Sequence, residues 1–337
     1  MADLVLGIGT SHGPMLKTPP EQWGDRAIAD RQNKRLVYEG REFDFEGLLR
    51  ARSDLEEIRA QLGIDAWRKQ YGRCRRALDV LGERFRAADV DAAIIVSSDH
   101  KEVFGDELLP SIAIYWGDSV EHVPLTQAQL DAKPPGLAIA AAGDTPREQV
   151  TQPCEPDLAR HLISAAISDG FDVAASERLP AGRDDNHGIP HGWGFVYRQI
   201  MCDDVVPNVP VFLNTFYPPN QPPVQRCYDF GLMLGRAIQS WEGGKRVAVL
   251  ASGGLSHFVI EEALDRQLLR AMQERDTQAL RGFSDERLCS GSSELRSWIS
   301  LAAAVSTTEL QMEIVDYVPC YRSEAGTGNA MGFAIWT

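Results

Sequence analysis

Three stretches of the chain share one pattern, in which a short apolar run is followed by small residues and then by a histidine. They are Met1–His12 (MADLVLGIGTSH), Asp91–His100 (DAAIIVSSDH) and Lys245–His257 (KRVAVLASGGLSH). Short apolar runs that end in turn residues are typical of buried strands. Open α/β sheets hold their functional residues at the carboxyl ends of the strands. We therefore expect His12, His100 and His257 to lie near one another at a single sheet edge.

The rest of the chain alternates between amphipathic and apolar segments. Helical spacing of apolar residues predicts helices at Phe45–Leu62, Ala66–Ala88, Glu155–Ser168, Val224–Trp241, Glu261–Glu274 and Ser290–Val305. Further strands are predicted at Pro110–Trp116, Phe171–Ala175, Val209–Asn214, Met312–Tyr317 and Gly332–Trp336. This alternation predicts an α/β protein, a three-layer α/β/α sandwich with a central mixed sheet, in which residues 1–337 form a single domain.

Residues 13–88 are predicted to form an insert of loop and helices between the strands that end in His12 and His100. Its first part, Gly13–Asp44, is rich in proline, glycine and charge and reads as a long loop. Loops of this length in a compact domain usually have a function. We expect this part to cover the mouth of the crevice or to form a subunit contact beside it; the alternative is that the whole insert packs on the outer face of the sheet.

Composition narrows the choice of partners. The chain has 48 acidic and 34 basic residues and a formal net charge of −14, which argues against a nucleic-acid or anionic-membrane partner, because both require a basic surface. No apolar run approaches the roughly 20 residues of a membrane span, and the start of the chain does not resemble a signal peptide. The six cysteines form no CxxC pair. We therefore expect a cytoplasmic protein with reduced thiols.

Histidines that cluster in a sheet crevice suggest a metal site. Two neutral imidazoles and one carboxylate, with the remaining positions open, form the metal site of non-haem Fe(II) oxygenases. Glu294 is a candidate carboxylate because it lies at the start of a predicted helix, and Asp99 is the rival. The loop Arg183–Gly194 adds two further histidines, His187 and His191; a role in stabilising the turn suits His191 better.

Several motifs resemble the class III extradiol ring-cleavage dioxygenases of the LigB-like type, which includes the protocatechuate 4,5-dioxygenase β-subunit and the gallate and methylgallate dioxygenases. The motifs are GTSHGP at Gly9–Pro14, VSSDHKEVF at Val96–Phe104, NHG at Asn186–Gly188, ASGGLSH at Ala251–His257, SELRSW at Ser293–Trp298 and the terminal GTGNAMGF. They follow the order of the family across nearly the whole chain.

The resemblance implies a role for several residues. It implies that His12, His100 and Glu294 bind Fe(II), and that His187 and His257 are second-sphere acid/base residues. It also implies that Thr327 contacts the substrate through its hydroxyl group. Candidate partners for a substrate carboxylate are Arg183, Lys101 and Arg322.

The implied activity is opening of the aromatic ring of a catecholic acid with O2, next to rather than between the hydroxyl-bearing carbons. Protocatechuate, gallate, a carboxylated biphenyl catechol and a lignin-derived methoxygallate remain open as substrates, with a slight preference for the last. The alternatives are a related dioxygenase for a non-carboxylated catechol or an aminophenol, and a Memo-type protein that has this fold but only binds a partner. A homodimer is a further expectation.

Overall fold

A computed structural model describes residues 1–133, 135–182 and 187–337. Its α-helices are α1 (Trp23–Gln32), α2 (Phe45–Ala51), α3 (Leu55–Arg59), α4 (Ile64–Ala87), α5 (Gln127–Ala132), α6 (Pro135–Ala141), α7 (Pro156–Ser168), α8 (His191–Phe195), α9 (Val224–Ser240), α10 (Glu262–Gln273), α11 (Thr277–Arg281) and α12 (Leu295–Val305). Its strands are β1 (Asp3–Thr10), β2 (Leu36–Tyr38), β3 (Arg41–Phe43), β4 (Ala92–Ser97), β5 (Ile112–Tyr115), β6 (Ser119–His122), β7 (Val150–Pro153), β8 (Ala174–Ser176), β9 (Asn208–Leu213), β10 (Arg246–Ser252), β11 (His257–Val259), β12 (Met312–Tyr321) and β13 (Thr327–Trp336).

Nine of the described strands form one mixed sheet. Its order is β11-β13-β1-β10-β4-β9-β5-β8, and β12 pairs with β13 outside this path. The central strands β1, β10, β4 and β9 are parallel, whereas β13 runs antiparallel to β1, β11 and β12. The mixed sheet predicted from the sequence is therefore confirmed.

Alternate residues of the central strands point into two separate apolar layers. In β4, Ile94 and Val96 pack in the layer that contains α7, α9, α10 and α12. Their neighbours Ala93 and Ile95 pack in the layer that contains α4 and α8. A strand whose residues are buried on both sides requires helices on both faces. This arrangement is the predicted three-layer α/β/α sandwich.

The first part of the insert is more ordered than the sequence pattern predicts. Gly13–Asp44 contains the ten-residue helix α1 and the hairpin β2–β3, where a loop was expected. The inner face of α1 carries Asp30, which is buried and pairs with Arg322. A helix is predicted from apolar residues that recur at helical spacing, and a charged residue on the buried face interrupts this spacing. The sequence pattern therefore did not predict α1.

The predicted helix Phe45–Leu62 is two helices, α2 and α3. The helical backbone stops at Arg52, whose guanidinium donates to Asp54 and, through Nη1, to the carbonyl of Ile260 at 2.9 Å. Leu36, Phe45 and Leu48 pack with Val259 and Ala325 in a small apolar cluster. The first part of the insert thus packs beside β11, the strand that begins at His257.

The second part of the insert, α4, lies against β12 and β13. The indole of Trp67 donates to the carbonyl of Tyr321 at 2.9 Å, and Arg73 pairs with Asp316. The buried face of α4 includes Leu78, Leu81 and Phe85, while charged residues occupy its outer face. Within the described ranges, no helix combines the length and apolar character needed to cross a bilayer.

Candidate functional site

Three neighbouring parallel strands end at the same edge of the sheet. The order β1-β10-β4 places Thr10 opposite Ser252, and Ser252 opposite Ser97. His12 follows β1, His100 follows β4, and His257 follows β10 after a short turn. The structure brings these three histidines together around one carboxylate, that of Glu294.

Glu294 reaches this edge from the opposite direction. It is the last residue of a 3₁₀ turn, Ser290–Glu294, that leads into α12. The turn is held close to the sheet because Trp298 donates its indole N–H to the carbonyl of Gly253 at 2.9 Å. A Cβ atom on Gly9 would lie 2.4 Å from the Trp298 ring, so only glycine allows this approach.

The Glu294 carboxylate is 2% exposed and faces three imidazoles. Its Oε1 lies 2.6 Å from Nε2 of His100 and 3.3 Å from Nε2 of His12. Its Oε2 accepts the backbone N–H of Gly254 and lies 3.8 Å from Nε2 of His257. Of these three histidines, His12 and His100 are the two nearest to the carboxylate.

The hydrogen bonds around His12 determine which ring nitrogen carries its proton. The Ser252 hydroxyl has one proton, which it donates to the carbonyl of Gly192 at 2.7 Å. Towards Nδ1 of His12, at 2.9 Å, Ser252 can therefore only accept, so Nδ1 holds the proton. Nε2 of the neutral His12 ring then carries a lone pair, which faces the Glu294 carboxylate.

His257 is oriented in the same way. Its Nδ1 lies 2.8 Å from the carbonyl oxygen of Leu255, which can only accept, so Nδ1 carries the proton. Nε2 is left as a lone pair at the mouth of the crevice, and the ring is mostly buried. The position and tautomer suit His257 to accept a proton from a ligand hydroxyl group.

Burial and charge favour neutral imidazoles beside an ionised carboxylate. Burial lowers the pKa of His12 to about 4 despite the opposing effect of Glu294. Burial also lowers the pKa of His257. Burial alone would raise the pKa of Glu294, but the neighbouring His12 and His100 hold it well below its ordinary value. Lone pairs and a negative charge that converge in this way form a donor set for a cation.

A fourth histidine, His191, lies against this cluster. It begins α8, and its ring is edge-on to His12 at a centroid distance of 4.8 Å and tilted to His100 at 5.5 Å. Ligand atoms of His12, His100 and His191 all lie within 4.8 Å of one another. Glu102 holds His191 by accepting its backbone N–H and contacting Nδ1. Burial alone would lower the pKa of His191, but Glu102 raises it.

The structure thus brings His191 beside His12 and His100, and the expectation that it stabilises the turn stays a prediction. The histidine that the resemblance selected from this loop, His187, is exposed, and its second-sphere role stays a prediction. The glycine that follows His191 in the sequence could have indicated its position. A Cβ atom on Gly192 would lie 2.1 Å from the Ser97 hydroxyl oxygen. Only a glycine allows the backbone beside His191 to pack so closely on the sheet edge.

The turn after β4 fixes His100 in a left-handed backbone conformation. His100 and the following Lys101 have φ values of 53° and 60°. The carboxylate of Asp99 accepts the backbone N–H groups of Val103 and Phe104, at 3.0 and 2.9 Å. Asp99, considered as a rival metal ligand, thus stabilises the turn that presents His100.

The predicted substrate-contacting residues lie in different surroundings. Thr327 is buried and donates its hydroxyl to Asp30 at 2.6 Å, and Arg322 binds the same carboxylate. Lys101 pairs with Asp106. Arg183 lies outside the described residues. The roles proposed for these four residues in binding a substrate stay predictions.

A buried carboxylate on α10 holds the turn that carries His257. Asp265 accepts the backbone N–H and the hydroxyl of Ser256, at 2.8 and 2.6 Å, and the hydroxyl of Tyr317 at 2.9 Å. Burial nevertheless raises the pKa of Asp265 to about 7. The folded protein therefore holds a proton on Asp265 at pH values where an unfolded aspartate, with a pKa of about 3.9, has lost it.

This raised pKa predicts a specific pH dependence of stability. The stability that the Asp265 proton contributes is complete below about pH 4 and is lost as the pH rises through about 7. An Asp265→Asn variant has no such proton to lose. The Tm of the variant minus the Tm of the parent should therefore increase between about pH 5 and pH 8. Thermal unfolding across this range measures the difference, and Asp276→Asn, at the start of α11, controls for the lost charge. A Tm difference for Asp265→Asn that does not change with pH would contradict the assignment.

A protein-family model described as the catalytic LigB subunit of aromatic ring-opening dioxygenase matches residues 68–328. The matched range includes His100, His257 and Glu294 and begins after His12. It confirms the resemblance that the sequence motifs indicated.

Curated relatives match about half of the chain. A 2,3-dihydroxyphenylpropionate/2,3-dihydroxicinnamic acid 1,2-dioxygenase of Cupriavidus necator is 27% identical over 175 residues, 52% of this chain and 46% of the relative. A protein of the same name from Rhodococcus jostii (strain RHA1) is 31% identical over 173 residues, 50% of this chain and 49% of the relative. The chain spans about half the length of the curated relatives it matches. A solved structure of an uncharacterised Escherichia coli K12 protein has a TM-score of 0.42 and 13% identity over 98% of this chain and 99% of its own.

Proposed function

Because the chain belongs to the LigB family of catalytic subunits of aromatic ring-opening dioxygenases, we propose that it opens the ring of a catecholic acid with O2. The bond that is cleaved lies next to, rather than between, the hydroxyl-bearing carbons. The observation that carries the proposal is the donor set of His12, His100 and Glu294. Nε2 of His12 and Oε1 of Glu294 are 3.3 Å apart and both present lone pairs, which a cation between them would satisfy.

We propose Fe(II) as that cation, bound by His12, His100 and Glu294. Two imidazoles and one carboxylate suit non-haem iron and leave positions for the two substrates. When bound, the iron would supply Lewis acidity and electrons for O2. His191 contacts the rings of both His12 and His100, and Glu102 binds its backbone N–H and Nδ1, which leaves Nε2 of His191 as a further polar group at the same cluster.

The chain's own residues supply the proton steps. His257, with Nε2 free and its Nδ1 proton held by Leu255, accepts a proton from a catechol hydroxyl. His191, whose pKa Glu102 raises, would donate a proton to an oxygen atom while the ring opens, and both atoms of O2 enter the product. Phe216 contacts the His100 ring at 5.5 Å and offers an aromatic wall for the substrate ring.

The substrate class is a catechol that carries a carboxylate. The names of the relatives support an acid attached through a short side chain, as in 2,3-dihydroxyphenylpropionate. Ring-substituted acids of the protocatechuate, gallate and methoxygallate type belong to the same class, and lignin-derived methoxygallate keeps the slight preference from the sequence. A homodimer and a cytoplasmic location stay predictions.

Iron content and oxygen uptake test this function directly. Protein loaded with Fe(II) under anaerobic conditions should consume one O2 for each catechol and give a ring-opened product. The His12→Ala variant should lose bound iron, because it removes one of three ligands. His161→Ala, which removes a histidine that bonds only α9 groups, is the control and should keep its iron. Full iron content in His12→Ala, or no oxygen uptake with any catechol or aminophenol, would contradict the proposal.

The role of His257 is separable from metal binding. His257→Gln should retain iron, because His257 is not in the proposed ligand set, while kcat falls by about 10²- to 10⁴-fold, the usual contribution of a general acid or base. Steady-state oxygen uptake and iron analysis on the same preparation measure both quantities. If turnover stays within a factor of about three of the parent, His257 has no part in the proton transfer.

A further inference from the structure

The inner face of α1 carries two charged residues one helical turn apart, Arg26 and Asp30. The Asp30 carboxylate is saturated, because Arg322 donates to both of its oxygens at 2.6 and 2.8 Å and Thr327 donates to one of them at 2.6 Å. Asp30 and Arg322 are 7% and 4% exposed. Their charges therefore cancel within a buried pair, and Asp30 has no oxygen left without a donor.

Arg26 is the second cation at this place. Its Nε is buried without a hydrogen-bond partner, and no carboxylate in the described parts of the chain forms an ion pair with its guanidinium. Burial, and then the neighbouring Arg322, lower the pKa of Arg26 to about 10, so it is still charged at neutral pH. Two guanidinium groups thus share one carboxylate. A partly buried cation that shares its nearest carboxylate with a second cation favours the binding of an anion that reaches it.

This excess charge lies beside the proposed catalytic crevice. Nη1 of Arg322 is 3.4 Å from the side-chain oxygen of Asn329. Asn329 pairs with His257 between β13 and β11. A Cβ on Gly13, the residue after His12, would lie 3.2 Å from Nδ2 of Asn329. Asn329 therefore connects Arg322, whose charge acts on Arg26, to both His12 and His257.

Three other cations among the described residues of this region, Lys17, Lys101 and Arg322, already have partners. Lys17 forms a buried ion pair with Asp144, and Lys101 pairs with Asp106. Arg322, an earlier candidate for binding a substrate carboxylate, is occupied by Asp30. Arg26 is thus a cation at this edge that forms no ion pair of its own with a described residue.

We propose that Arg26 binds the carboxylate of the catecholic acid, with Arg322 and Asp30 fixing its surroundings. The proposal rests on the proposed function for the catechol ring, and it adds a specific site for the acid group. A guanidinium suits this task because its planar fork can donate two parallel hydrogen bonds to one carboxylate. The insert would then determine specificity by supplying the residue that distinguishes acids from uncharged catechols.

The test compares an acid with its methyl ester on two variants of one helix. The ligands are 3-(2,3-dihydroxyphenyl)propionate, protocatechuate and gallate, each beside its methyl ester. Arg26→Met removes the proposed partner, and Arg26→Lys keeps the charge without the fork. Arg31→Met is the matched control, because Arg31 lies on α1 but is 48% exposed and pairs with Glu324. Dissociation constants are measured by calorimetry on iron-loaded protein without O2, and kcat and KM are measured with O2.

The parent should bind at least one acid more tightly than its ester. Arg26→Met should weaken binding of that acid by about 30-fold or more, the scale expected when one partner of a buried charge pair is removed. Binding of the ester should change by less than about threefold, and Arg31→Met should behave like the parent. Arg26→Lys should recover part of the affinity. The melting temperature of Arg26→Met should fall little, because Arg26 forms no direct ion pair with any described residue and only shares the charge of Asp30 with Arg322.

Equal losses for acid and ester would overturn the proposal, as would an equal loss in Arg31→Met or a parent that does not prefer any acid. The binding measurement is independent of turnover. If the parent binds the acid through Arg26 but opens no ring, the carboxylate site stands and the proposed function fails. If rings are opened but Arg26→Met does not distinguish acid from ester, the function stands and the site fails.

Discussion

A buried negative charge, the carboxylate of Glu294, is the constraint on which the site depends. It is 2% exposed and has one backbone N–H donor, from Gly254. Around it stand imidazole nitrogens, and the hydrogen bond to Ser252 leaves His12 with a lone pair towards the carboxylate. An ionised carboxylate in such surroundings is costly unless a positive charge offsets it. We propose that a bound cation supplies this positive charge.

The fold makes the arrangement possible through close backbone approaches. Gly9 leaves room for the Trp298 ring, which anchors the turn that carries Glu294. Gly192 allows α8 to lie on Ser97, which places His191 beside His12. A methyl group at either position would collide with its neighbour at 2.4 Å or less. The glycines are therefore as necessary to the site as the histidines, because the side chains can converge only if the backbones do.

Much of this could be predicted from local sequence. The strands before His12 and His100 are short apolar runs that end in small residues, and this length and these flanking residues favour a buried strand over a helix. Glu294 and Asp99 both stayed open from local sequence, although the alternation of side chains along an extended strand points Asp99 away from His100. What separates them is tertiary: Asp99 accepts N–H groups of its own turn, whereas Glu294 faces the histidines.

The parts that could not be predicted depend on long-range partners. Helix α1 was missed because Asp30, on its buried face, finds its partner Arg322 nearly 300 residues later. The break between α2 and α3 was missed because Arg52 donates to the carbonyl of Ile260, the residue that follows β11. Such contacts satisfy buried polar groups that look like surface residues in the sequence. The position of His191 likewise depends on a distant residue, because its backbone N–H donates to Glu102 in the turn after β4.

The most direct measurement is the position of the metal. Crystals of the protein loaded with Fe(II) without O2 can be measured at wavelengths on both sides of the iron absorption edge, so that anomalous scattering locates iron alone. The account predicts one strong peak between Nε2 of His12, Nε2 of His100 and the Glu294 carboxylate, at the roughly 2.0–2.2 Å usual for nitrogen and oxygen ligands of such ions. A peak elsewhere, or fully bound iron with none of these three residues in contact, would contradict it.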